Sequence, residues 1–83
     1  MTHDIPLSKA EYHLIPEFEE WCKQNLPPNP KGFAWTPYQS ARLPKDWYWG
    51  IWWMLGMGGV VFKDPSHASE FEEFKVKKCI AQP

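Results

Sequence analysis

Apolar side chains recur at helical spacing between residues 8 and 26, run almost unbroken from 47 to 62, and return to helical spacing from 68 to 74. In the first stretch Phe18, Trp21 and Cys22 share one face, and Leu26 follows one turn later. Ser8-Lys9-Ala10-Glu11 matches a capping box, in which serine and glutamate satisfy each other's backbone amides. Pro16 suits the first residue of a new helix, so the stretch reads as a helix in two pieces. Glu17, Glu19 and Glu20 fall in its first turns, at the positive end of the dipole.

Residues 27–46 hold five prolines and break every periodicity. Pro27-Pro28-Asn29-Pro30 can neither continue a helix nor join a sheet interior, which predicts an extended connector. Phe33, Trp35 and Tyr38 are spaced along it, more aromatic surface than a disordered tether carries. The expectation is a loop wrapped across the core.

The run Trp47–Phe62 contains no charge, four of the six tryptophans and four glycines. Three of those glycines lie in Gly56-Met57-Gly58-Gly59, which suits a hairpin tip. A turn there predicts strands at about 47–55 and 60–64, with Trp53 opposite Phe62 and Trp52 opposite Lys63. Alternation then puts Trp47, Trp49, Ile51, Trp53 and Leu55 on a core face with Val60 and Phe62. Tyr48, Gly50, Trp52 and Met54 lie on the other face with Val61, where Lys63 can sit over Trp52 as a cation–π pair. Spanning a membrane as a helix takes roughly 20 apolar residues. This run has sixteen, bounded by Lys45-Asp46 and Lys63-Asp64, so a hairpin accounts for it better.

Asp64-Pro65-Ser66 opens a last segment in which Ala68, Phe71 and Phe74 are at helical spacing. Beyond it, Phe74-Lys75-Val76-Lys77-Lys78 alternates, so both a terminal strand and a helix continuing to Cys79 stay open. Glu17-Phe18-Glu19-Glu20-Trp21 and Glu70-Phe71-Glu72-Glu73-Phe74 are nearly one pentapeptide. Unmatched flanks favour shared helix-start rules over duplication. The whole reads as a single α+β domain over residues 1–83: N-terminal helix, proline-rich wrapping loop, antiparallel aromatic hairpin and C-terminal helix.

Composition changes this picture in two ways. Eighty-three residues is near the lower limit for a self-sufficient core, and 17% aromatic content compensates because aromatics bury more area each. A formal charge of −1 lacks the electrostatic footprint of a nucleic-acid binder. A single-stranded binder using Arg42, Lys45, Trp47, Tyr48, Trp49 and Lys63 as a stacking platform stays as an alternative. Cys22 and Cys79 lack a CxxC, and the first residues lack a secretory signal, so free thiols in a reducing cytoplasm are expected and pairing of the two is the minor reading. His3, His13 and His67 have no metal-ligand spacing, and Cys22 falls on an apolar face. Ser66 and Ser69 near His67 read as helix-start residues. Neither an enzyme nor a cofactor is expected.

Val60–Phe74, a strand ending in Phe, an Asp-Pro turn and a short helix with Ala and Phe at fixed spacing, resembles a pattern in short tailed-phage accessory proteins. The resemblance covers about fifteen residues and carries over no site residues. It implies a small viral protein, a class of host-directed inhibitors and minor virion components. Surplus Trp and Tyr point the same way, since they are enriched at interface hot spots. The expectation is a non-enzymatic module that occludes a host or viral protein, with Trp35, Arg42, Tyr48, Trp52 and Lys63 as contacts. The alternative is a virion or assembly component forming homo-oligomers through a strand edge.

Overall fold

The structure, a computed structural model, describes residues 2–36 and 43–81, the side chains of 79–81 excepted. The chain starts with a strand, β1 (His3–Leu7), for which the sequence analysis offered no element. Its signal is a period of two: Ile5 and Leu7 are buried while Asp4 and Pro6 are exposed. β1 is an edge strand, where a missing N–H leaves no ladder bond unmade.

Ser8 then starts a 3-10 helix, Lys9–Leu14, that runs into α1 (Ile15–Asn25), with Pro16 in its first turn. The Ser8 N–H donates to Glu11 Oε1 at 2.8 Å. Burial pushes the Glu11 carboxyl up, but the Ser8 N–H and hydroxyl, together with the Lys75 ammonium 3.1 Å away, outweigh it and hold it below its ordinary value. After the connector come β2 (Trp49–Met54), β3 (Met57–Phe62) and α2 (Pro65–Ala81). The three strands pair antiparallel, in the order β1-β3-β2, and the class is α+β.

The hairpin departs from expectation in where it turns. Met54 pairs with Met57, so the tip is the two residues Leu55 and Gly56, with φ of 53° and 81°. Positive φ at both central positions is the geometry that follows the strand twist. Gly58 and Gly59 therefore lie inside β3, and Trp52 pairs with Gly59, not Lys63. The correction slides the strands by an even number of residues, so the faces survive: Trp49, Ile51, Val60 and Phe62 are buried on the inner face. Two residues assigned there are elsewhere. Leu55 is at the tip, 92% exposed, and Trp47 precedes the strand and is buried outside the main core.

Asp64 begins α2: its Oδ1 accepts from the Ser66 N–H at 2.9 Å and hydroxyl at 2.8 Å, holding the carboxyl below its ordinary value. Residues 75–80 continue this helix; they form no terminal strand. Helices and inner sheet face enclose one cluster, with Phe18, Phe62 and Phe71 fully buried. Cys22 is a free, buried thiol there, pushed far above its usual pKa by burial and then by the negative charge of Glu19.

Candidate functional site

The connector is tied to the outer margin of β2 by one polar side chain. Asn29, 4% exposed, donates through Nδ2 to the carbonyls of Phe33 (2.8 Å) and Trp49 (2.7 Å). Its Oδ1 accepts from the backbone N–H of Tyr48 (2.9 Å) and of Trp49 (3.4 Å). The amide thus offers β2 the donor and acceptor a neighbouring strand would supply. Six residues on, that strand begins: Ile51 N–H donates to Ala34 O (2.8 Å) and Thr36 N–H to Ile51 O (2.9 Å), forming a parallel bridge between Trp35 and Ile51.

These bonds fold the connector over the outer face of the sheet. A side chain at Gly50 would meet the Thr36 methyl, Leu43 and the Trp47 ring, so glycine lets the loop lie directly on the strand. Trp47 packs against Phe33, with ring centroids 5.8 Å apart, and Val61 beneath is fully buried. The space over Gly50 is filled by the protein itself.

Trp52 has a structural task. Its ring crosses β3, and its Nε1 donates to Asp4 Oδ1 on β1 at 3.1 Å. A Cβ on Gly59 would come within 3.0 Å of that nitrogen and 2.6 Å of the Asp4 oxygen, so only glycine leaves room. Burial raises the Asp4 carboxyl, with the Trp52 bond opposing. Lys63 stands 5.7 Å over the ring of Tyr48, not over Trp52, and its ammonium reaches Lys45 O at 3.4 Å. Arg42 lies outside the described residues.

Three aromatics stay open to solvent where the connector meets β2. Phe33 is 52% exposed, Trp35 46% and Tyr48 40%. Trp35 pairs with the inward-facing Ile51, whereas Tyr48 follows the outward alternation of Gly50 and Trp52, so they flank the margin from opposite sides. Beside them a cleft of about 290 Å³ opens between Lys23, Pro28, Asn29, Gly32, Phe33 and Trp49. Trp49 Nε1 is buried without a hydrogen-bond partner. Phe33 and Asn29 were not singled out from sequence as site residues; their signals were an aromatic spaced along the connector and a lone amide among prolines.

Exposed aromatic surface and an apolar cleft thus lie side by side on backbone fastened by the Asn29 bonds. Ser66 commits its hydroxyl to Asp64. Among the described residues no group of three or more His, Cys, Asp or Glu side chains could hold a metal ion, and no helix is long and apolar enough to cross a membrane. No protein-family model, curated protein or solved structure matches this chain.

Proposed function

We propose that the protein is a non-enzymatic binding module that engages a host or viral protein through Phe33, Trp35 and Tyr48. The carrying observation is three large aromatics, each 40–52% exposed, on a segment fastened by the Asn29 bonds. Aromatics held rigid before binding lose little entropy on contact, which makes them efficient anchors. Lys63 supplies a cation at the same margin. In this reading the module inhibits by covering its partner's surface, as phage inhibitors of host enzymes or defence systems do; that last step rests on the Val60–Phe74 resemblance alone.

Self-association through a strand edge is less well supported. On β1 the free edge carries Pro6, which has no N–H, and its carbonyl is taken by Lys75 Nζ at 3.0 Å.

The test compares wild type with the double variant Trp35→Ser, Tyr48→Ser as bait for proteins of the native host. Loss of one stoichiometric partner with an unchanged thermal midpoint is expected. Retention of that partner by the variant would move the interface elsewhere.

A further inference from the structure

The two near-identical pentapeptides meet in space. Residues of α1 correspond to residues of α2 by a constant offset: Glu17 to Glu70, Phe18 to Phe71, Glu20 to Glu73, Trp21 to Phe74. Phe18 and Phe71 pack edge-to-face at 5.2 Å, and Trp21 stacks on Phe74 at 5.3 Å with planes 15° apart. The crossed pairs, Trp21–Phe71 and Phe18–Phe74, are nearly equal at 5.8 and 6.1 Å. A local two-fold axis between the helices requires that near-equality.

The surface repeats with the same symmetry. One groove, of about 400 Å³, is lined by Trp21, Asn25, Glu70, Glu73, Phe74 and Lys77. Exchanging the helices by the offset turns this set into Phe74, Lys78, Glu17, Glu20, Trp21 and Gln24. Those residues, with Pro16, line a second groove of about 350 Å³. Each groove has an aromatic wall formed by the half-buried Trp21–Phe74 stack and two carboxylates on its rim.

Charge decides what fits. Four glutamates face two lysines across the pair of grooves, and both lysines are already engaged, Lys78 with Glu17 at 2.9 Å and Lys77 with Glu73 at 3.5 Å. Glu20 accepts only from the neutral Gln24 amide among the bonds described, at 2.8 Å. A second copy would set this negative rim against itself, and a nucleic-acid backbone would be repelled. A guanidinium meets both demands at once, because it stacks on an indole and donates to carboxylates in its own plane.

We propose that the α1–α2 face docks a basic protein segment, with two arginine side chains entering the paired grooves and an apolar residue between them resting on the Trp21–Phe74 stack. This surface is separate from the Phe33–Trp35–Tyr48 margin and does not depend on it.

The test titrates the full ¹⁵N-labelled protein with acetyl-Arg-Leu-Arg-amide, with the Glu-Leu-Glu peptide as control. Expected are saturable shifts of the Trp21 indole and of the Asn25 and Gln24 side-chain amides, weakened by salt and absent with the control. The exposed pair Glu20→Gln, Glu70→Gln should weaken binding several-fold while leaving the spectrum folded. Equal response to both peptides, or affinity unchanged in that variant, overturns the proposal. So do concentration-dependent shifts at these residues without peptide, which would make a second copy the occupant. The Trp35→Ser, Tyr48→Ser variant should titrate like wild type, so failure here and failure of the margin are told apart.

Discussion

The two faces of the sheet are both rich in aromatics and are covered by different means. Two helices close the inner face over Trp49, Ile51, Val60 and Phe62, and the contacts there are apolar. A thin loop closes the outer face over Gly50 and Val61, held by the Asn29 amide and the 34–36 bridge. The inner face draws stability from buried area, which is large and tolerant of detail. The outer face relies on a few hydrogen bonds, each modest when made and costly when one partner is lost. A chain this short has too few residues to build two helix-covered cores, so its second face is closed by direction rather than bulk.

Breaking the inner face should cost most. Phe62→Ala empties a site in contact with Phe71 (5.3 Å between rings) and is expected to lose about 3–5 kcal/mol, as large-to-small core changes do. Stability of order 0.1 kcal/mol per residue comes to about 8 kcal/mol for this chain, so the variant should lose about half of it and melt at a markedly lower temperature by circular dichroism. Asn29→Ala separates the two kinds of closure. It strands the Trp49 carbonyl and the Tyr48 and Trp49 N–H groups, for an expected loss of about 2–3 kcal/mol in urea denaturation. Amide exchange should accelerate at Thr36 and Ile51 well before residues of α1; a uniform acceleration would mean the faces are one cooperative unit.

The smallest effect sharpens the outer face alone. Burial raises the folded pKa of Asp4, so this group favours folding below its unfolded value and withdraws that support as pH rises through the folded value. Asp4→Asn keeps an acceptor for Trp52 and removes the titration. The variant should match wild type in urea midpoint at pH 3 and exceed it slightly at pH 7. A variant less stable at pH 7 would show that the carboxylate charge itself holds Trp52.

The tryptophan run shows how far pattern alone reaches. Inner and outer residues of the strands were readable although the turn was misplaced, because a slip by an even number of residues leaves a period of two intact. Trp47 and Leu55 escaped because one precedes the strand and the other is its tip, where alternation has no force. β1 escaped because its alternation spans only Ile5 and Leu7 around Pro6, a residue that an edge strand tolerates. At the candidate margin, Trp35 and Tyr48 were visible as surplus aromatics. Trp52 looked the same but serves as a brace to Asp4, a contact across 48 residues that local pattern does not encode.

By itself the sequence determined what is periodic or local: the α+β class, the amphipathic faces of α1 and α2, the capping box at Ser8 and the turn residues at Asp64. Hydrophobic spacing and backbone bonding within a few residues are properties of the chain alone. Tertiary structure decided the partners of single groups far apart in sequence: which Gly a Trp crosses, what Asn29 holds, and which aromatics stay open to solvent. It also brought the two pentapeptides face to face, since only packing converts a repeated spacing into a shared surface.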